Sequence, residues 1–175
     1  MKLLATASLS LALALALLSC AQPPEPPPPP PPGVENAELD LSLTSVPEGL
    51  RVAANKGRSL QLEPVDPTVG GAIWFEVGPE EVGVNLVAAV RDHQQFIEGL
   101  PDGEYQGAQE LQADFGTAFY SRGRFTEDGA ALEETVIFRI HPRASRLLSI
   151  DYRYPAGDDS AERVEQLIEV LSSVE

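Results

Sequence analysis

Arginines concentrated between residues 122 and 153 are the side chains best placed to bind an anion. This segment holds six arginines against five acidic residues, whereas the whole chain of 175 residues has a formal charge of −15. Guanidinium groups form paired hydrogen bonds with carboxylates and phosphates, so such a cluster can receive an anion or an acidic partner. The candidate binding residues are Tyr120, Arg122, Arg124, Arg139 and Arg153.

A predicted hairpin turn at Asp128-Gly129 brings three of these residues together. Such a two-residue turn pairs Glu127 with Ala130 and therefore places Arg124 opposite Glu133. Tyr120, Arg122 and Arg124 then share one face of the hairpin. The opposite face is predicted to be apolar and carries Phe119, Phe125, Leu132, Val136 and Phe138.

The following strand completes the predicted arginine face. If Leu148, Ile150 and Tyr152 continue the apolar face, Arg153 lies opposite Thr135 and joins the other arginines. A simpler interpretation stays open, in which Arg124 and Glu133 form a cross-strand ion pair and the remaining arginines face water. Exposed pairs of this kind contribute only about 0–1 kcal/mol and need no function.

Histidines and carboxylates form no recognisable catalytic or metal-binding pattern in the sequence. The neighbours of His93 on its predicted helix are apolar, and His141 ends a predicted strand. We expect both to be partly exposed structural histidines. The adjacent acids Glu133 and Glu134 point to opposite faces of a strand. The sequence therefore predicts no catalytic residue, no metal and no cofactor, although carboxylates distant in sequence can still meet in the fold.

The single cysteine, Cys20, closes an uncharged apolar segment that follows Met1-Lys2. That segment is short for a membrane span, which needs about 20 apolar residues, and fits a signal peptide over residues 1–19. The run Leu17-Leu18-Ser19-Cys20 resembles the lipobox of bacterial lipoproteins. The resemblance implies cleavage between Ser19 and Cys20, a diacylglycerol on the thiol of Cys20, and a further acyl chain such as palmitate on the new amino group.

This resemblance implies a lipid-anchored protein of the bacterial cell envelope, with the membrane as its partner through Cys20. Ala21, rather than an aspartate, follows the cysteine, which permits an outer-membrane location in a cell with two membranes. Two alternatives stay open. One is an ordinary secretory signal with a chance cysteine, and the other is an uncleaved anchor helix.

Residues 20–37 are predicted to form a tether, because ten residues at 23–32 are all proline except Glu25. Proline excludes helix and sheet here, and a polyproline II segment of this length reaches roughly 30 Å. A ligand for a proline-recognition domain is the alternative. Removal of residues 1–19 changes the formal charge to −16, since Lys2 is their only charged residue. Such a charge argues against nucleic acid as a partner.

Residues 38–175 are predicted to form a single α+β domain. Alternating apolar residues and tight turns predict strands before and after a helix that begins at an Asn85 cap and ends at a left-handed Gly99. A second helix starts near Ser160, where Asp159 and Glu162 have capping-box spacing. This order predicts an antiparallel β-sheet with helices packed on it.

The element order and the carboxy-terminal hairpins resemble the PsbP-like and DcrB-like proteins, which include photosystem accessory proteins and envelope lipoproteins. The resemblance implies their sandwich fold and a role in binding rather than catalysis. We therefore expect a non-enzymatic accessory or binding module with a possible envelope protein partner. The alternatives are a small-ligand or anion-binding carrier or sensor and, third, a hydrolase whose carboxylates converge only in the fold.

Overall fold

The computed structural model describes residues 33–80, 83–113, 116–157 and 160–175. The predicted signal peptide, Cys20 and the proline tract lie outside the described residues, as does Asp159 of the predicted capping box. In the described ranges, no helix has both the length and the apolar character needed to cross a bilayer.

Nine strands and two helices make up the described fold. The strands are β1 (Val34–Asn36), β2 (Leu41–Leu43), β3 (Leu50–Lys56), β4 (Ser59–Pro64), β5 (Ala72–Glu80), β6 (Glu104–Ala113), β7 (Gly116–Glu127), β8 (Ala130–Ile140) and β9 (Arg146–Pro155). The helices are α1 (Leu86–Glu98) and α2 (Ser160–Ser172). β1 begins before residue 38, where the sequence predicted the domain to start.

Seven of these strands form one antiparallel sheet in the order β3-β4-β5-β9-β8-β7-β6, and β1 pairs separately with β2. The two helices pack on the sheet, so the predicted fold class, an antiparallel sheet with helices packed on it, is confirmed. β9 lies between β5 and β8, which places the last strand of the chain at the centre of the sheet.

Helix α2 packs against β8 and β9 and covers the main hydrophobic core. Leu167 and Leu171 of the helix meet Ile73, Ile150 and other fully buried side chains of the central strands. The tail after the helix pairs with β2 through main-chain hydrogen bonds between Ser42 and Glu175 of 3.1 and 2.9 Å. This pairing fixes α2 on its face of the sheet.

Helix α1 packs against β6, β7 and β8 on the opposite face. Its predicted cap is confirmed, because Oδ1 of Asn85 accepts a hydrogen bond of 3.1 Å from the amide of Ala88. The helix approaches β7 closely at Gly123, where a Cβ atom would stand 2.6–2.7 Å from three side-chain atoms of Ile97. Only glycine fits at that position without displacing the helix.

The predicted left-handed end of α1 is wrong. Gly99 has φ −84° and ψ −10°, which is right-handed, and its amide continues the helical hydrogen bonds to Gln95 and Phe96. The chain reverses instead at Asp102, whose φ is 52°. The turn is therefore made three residues later than expected.

The register of β7 and β8 is as predicted, with Glu127 opposite Ala130 and Arg124 opposite Glu133. Both central turn residues, Asp128 and Gly129, have positive φ, as a two-residue hairpin turn requires. The register predicted for β8 and β9 is wrong by one residue, because Arg153 lies opposite Glu134 rather than Thr135. Every side chain of β9 consequently points to the opposite face from the one predicted.

Candidate binding cleft

A cleft of about 710 Å³ lies between α1 and strands β5, β8 and β9. Helix α1 sits mainly over β6, β7 and β8, so it flanks the β5–β9 part of the sheet rather than covering it. The cleft is on the face of the sheet opposite α2.

Strand alternation places a row of polar side chains on the floor of this cleft. Trp74 and Asp151 are cross-strand partners, as are Glu76 and Ser149. Glu134 is paired in the same way with Arg153. All six line the cleft, and their strand neighbours point into the core beneath α2. Three central strands thus carry an apolar face and a polar face at once.

Glu134 is the most enclosed acid of the cleft, with a side chain only 5% exposed. Its Oε2 accepts a hydrogen bond of 2.9 Å from Nε of Arg153 and forms an ion pair of 2.7 Å with Nη2, and its Oε1 lies 3.4 Å from Nε2 of His93. Burial alone would raise the pKa of Glu134, but His93 and Arg153 outweigh it and hold that pKa below its ordinary value. Glu134 is therefore an ionised anchor for its two neighbours.

His93 is buried, contrary to the partly exposed position predicted for it, because the face of α1 that carries it lies on the sheet. Its Nδ1 is 2.8 Å from Oγ of Ser121, and that hydroxyl donates to the hydroxyl of Tyr105 at 3.2 Å.

Asp151 has the most perturbed acidity in the cleft. Burial, followed by the negative charges of Glu134 and Glu76, raises its pKa to about 7. A hydrogen bond from Ser149 and the charge of Arg153 oppose this rise and only partly offset it. A carboxyl group that changes charge near neutral pH consequently lies on the floor of the cleft.

Aromatic and aliphatic side chains form the walls of the cleft. Phe138 on β8 packs against the His93 ring at a centroid distance of 6.0 Å, and Phe96 of α1 stacks on that ring at 6.5 Å. Phe96 is nevertheless 47% exposed at the rim. Trp74 lines the opposite side from β5. The cleft therefore combines apolar contact area with a charged floor, as ligand-binding sites commonly do.

The predicted arginine face does not form as one surface. Tyr120, Arg122, Arg124 and Arg139 lie on the face of α2, whereas Arg153 points into the cleft on the other face. The one-residue shift between β8 and β9 is the reason. The prediction that all five residues share one surface is therefore wrong. Anion binding by these residues stays a prediction.

Contacts within the sheet occupy several of these four residues. Arg122 forms an ion pair of 3.4 Å with the buried Glu133, the acid that the sequence assigned to Arg124. The hydroxyl of Tyr120 donates to Gln109, and Nε of the buried Arg139 donates to the carbonyl of Ile140. Arg124 is exposed.

His141 has the structural role predicted for it but is only 2% exposed, so its predicted partial exposure is wrong. Its Nδ1 accepts a hydrogen bond from the amide of Arg143, so Nε2 donates to the carbonyl of Leu39 at 3.1 Å. Burial lowers the pKa of His141 below its ordinary value. These bonds tie the β8–β9 connection to the segment before β2.

Metal coordination has no support in the described ranges, where no group of three or more His, Cys, Asp or Glu side chains could hold an ion. The acids of the cleft are not evident in the sequence, because the neighbours of Glu134 in space are Asp151 and Arg153 on the next strand, β9, rather than Glu133. The available signal is the alternation of Ser149, Asp151 and Arg153 with the large apolar residues Leu148, Ile150 and Tyr152.

No protein-family model and no curated protein sequence matches the chain. Solved structures do match. LpqN of Mycobacterium tuberculosis, described as involved in cell envelope biogenesis, is 14% identical with a TM-score of 0.51, over 77% of this chain and 81% of its own.

Two further structures have the same level of similarity. The PsbP protein of the cyanobacterium Synechocystis sp. PCC 6803 is 13% identical with a TM-score of 0.51, over 82% of this chain and 90% of its own. A variant of the protein Mog1 is 13% identical with a TM-score of 0.52, over 77% of this chain and 89% of its own. These matches establish a PsbP-like fold for this chain.

Proposed function

We propose that this protein is a lipid-anchored, non-catalytic binding or accessory module of the bacterial cell envelope. The cleft beside α1 carries the proposal, because it joins a recess of about 710 Å³ to aromatic walls and a charged floor. Such a combination is the usual form of a binding site. The anchor comes from the sequence around Cys20, and the tether would hold the cleft away from the membrane.

The fold supports an envelope role by analogy. LpqN is described as involved in cell envelope biogenesis. The analogy is one of architecture alone, since one fold serves many functions. An envelope role agrees with the cellular location that the lipobox resemblance implies. The argument from the fold and the argument from the sequence around Cys20 are independent of one another.

Binding suits the acids of the cleft better than hydrolysis does. Glu134 accepts a hydrogen bond from Arg153 on Oε2, forms an ion pair with it and faces His93, so it serves as their counterion. A general acid or base needs an oxygen within hydrogen-bond reach of the substrate. Asp151 alone has the acidity of such a group, and catalysis by two carboxylates would require Glu134 to release Arg153.

A small-ligand carrier or sensor is the second candidate function. The open cleft favours it, because a fully packed helix–sheet interface would leave no room for a ligand. In both cases the ligand occupies the same recess. The two differ in whether that ligand is free or part of an envelope protein.

Membrane fractionation tests the anchor. Cys20→Ala should move the protein from the membrane to the soluble fraction, while Ser8→Ala in the same segment should leave it on the membrane. If the Cys20→Ala protein stays with the membrane, the lipid-anchored part of the proposal is wrong.

Photocrosslinking in the native envelope tests the binding role. A benzophenone amino acid in place of Phe96, at the rim of the cleft, should give a reproducible crosslinked product. The same group in place of Val65, which is 56% exposed and does not line the cleft, is the control. Equal crosslinking from both positions would count against the cleft as the binding site.

A further inference from the structure

We propose that the cleft beside α1 binds an organic cation, an alkyl chain that ends in an ammonium or guanidinium group. This deepens the proposed binding function and rests on it. The cation can be a free amine or the side chain of a lysine or arginine in a protein partner. The two sources share one chemistry and are separated by the experiment below.

Charge is the first argument. Four carboxyl groups line the cleft, against one guanidinium and one imidazole. Arg153 is already engaged by Glu134 and Glu127, so it does not neutralise the others. Glu76 and Asp151 remain, on two different strands around one recess, and Asp92 of α1 at the rim has only an exposed pair with Arg91 among the described residues. A ligand with a positive charge relieves their mutual repulsion, whereas an anion would add to it.

The walls supply the second argument. Trp74 lines the recess, and Phe96 leaves about half of its surface in water at the rim. Aromatic faces attract cations by roughly 0.5–2 kcal/mol, and tryptophan does so most strongly. The same rings provide contact area for an alkyl stem. A bare metal ion would make no use of these walls.

The third argument is a buried polar atom of the cleft without a partner. The side chain of His93 is 5% exposed and lines the cleft, and its Nε2 has no hydrogen-bond partner among the described residues. This atom lies 3.4 Å from Oε1 of Glu134, whereas Arg153 contacts the other oxygen of that carboxylate. An N–H donor from a ligand, entering between α1 and β8, would bond to Oε1.

Fluorescence of Trp74 gives a direct test, since it is the only tryptophan of the chain and lines the cleft. The full chain is titrated with butylammonium and, as the matched anion, with butyrate. Butylammonium should change the emission in a saturable way, and butyrate should not. Equal responses to both, or a response to neither, would overturn the proposal.

Neutral variants locate the charge recognition. Glu76→Gln, at an exposed position, and Asp151→Asn should each weaken butylammonium binding about tenfold, the equivalent of about 1.4 kcal/mol. Asp128→Asn, in the exposed β7–β8 turn, should leave the affinity unchanged. Unchanged affinity in both cleft variants would contradict the proposal. Displacement of butylammonium by Ca²⁺ at equal concentration would also overturn it, in favour of a metal site.

A second pair of probes separates the two sources of the cation. Nα-acetyl-lysine methylamide carries the peptide groups of a partner protein, and the glutamine analogue is its uncharged control. Tighter binding of the lysine probe than of butylammonium would assign the cleft to a protein side chain, and weaker binding would assign it to a free amine. Both outcomes require binding of a cation in the cleft. This binding does not depend on the anchor, so a failed Cys20→Ala test would reject the lipid anchor without rejecting the cation site.

Discussion

The two faces of the central sheet differ sharply although the same three strands supply both. Beneath α2, Ile73, Ile137 and Ile150 are fully buried in one apolar core. Beside α1, the alternate residues of these strands include Glu134 and Asp151, which are polar groups held in a recess. The first face stabilises the fold, and the second uses some of that stability to keep ionisable groups out of bulk water.

Polar side-chain atoms are buried on both faces of the sheet. On the α2 face, the hydroxyl of Tyr152 donates to Gln166 at 3.2 Å and accepts from Arg163 at 3.0 Å, so a buried polar atom is satisfied by the helix. On the α1 face, Nε2 of His93 has no such partner among the described residues. On the α2 face, Nε of Arg122 is likewise buried without a hydrogen-bond partner in the described part of the chain, so this state is not confined to the cleft.

Truncation of one large side chain on each face should produce the greatest contrast. Ile150→Ala leaves a cavity in the core under α2 and should cost about 2–5 kcal/mol of unfolding free energy. Trp74→Ala, on the neighbouring strand but in the open cleft, should cost about 1 kcal/mol, because water can fill the space. Urea unfolding measures both. Equal losses would mean that the two faces are packed alike.

The charge on Asp151 should make the cleft a source of instability at neutral pH. The pKa of Asp151 is higher in the folded state than in the unfolded state, so the folded state holds the proton more tightly. The free energy of unfolding is therefore higher at low pH, and it falls as the pH rises from about 3.8 to about 7. Asp151→Asn removes the effect and should gain up to about 4 kcal/mol at pH 8 relative to the parent chain.

The same pair of proteins should be nearly equal in stability at pH 4. Groups facing Asp151 from the surrounding elements are Glu76, Glu134, His93 and Asp92, with Arg153 on its own strand. They are present in both proteins, so the difference between the two unfolding curves reports on Asp151. Asp128→Asn should show no such pH-dependent gain. A constant difference between pH 4 and pH 8 would exclude a raised pKa.

The contact between α1 and the sheet can be tested at Gly123. A Cβ there meets the buried side chain of Ile97, so Gly123→Ala should destabilise the protein by about 1–3 kcal/mol. Gly78→Ala is a matched control in β5, where the new Cβ would make ordinary contacts of 3.6 Å with Leu147. Equal stabilities of the two variants would show that α1 can move away from β7 at little cost.

The smallest effects should come from the α2-side arginines. Arg122→Ala removes the ion-pair partner of the buried Glu133 and should cost about 1 kcal/mol, whereas Arg124→Ala should cost less than about 0.5 kcal/mol. Thermal unfolding measures both losses. A larger loss for Arg124→Ala than for Arg122→Ala would mean that Arg124, rather than Arg122, forms the ion pair with Glu133.

Local signals in the sequence predicted much of the fold. The Asp128-Gly129 turn determined the β7–β8 register, because few backbone conformations close so short a hairpin. The Asn85 cap located the start of α1 for a similar reason. In both cases neighbouring residues decide the structure.

The cleft could not be predicted, because it depends on contacts between distant segments. The connection from β8 to β9 is longer than the two-residue turn between β7 and β8, so its length does not determine the β8–β9 register. Leu148 and Val136 are both apolar, yet they lie on opposite faces, since helices bury both sides of these strands. Hydrophobic alternation selects a register only when one face is exposed.

Titration of the Asp151 carboxyl carbon by NMR is the most direct test of the difference between the two faces, with Asp151→Asn used to assign the signal. The structure predicts a midpoint at about pH 7, because the recess desolvates Asp151 beside Glu134 and Glu76. A midpoint close to the ordinary value of 3.8 would contradict it, since the cleft would then hold a well-solvated acid rather than a buried polar site.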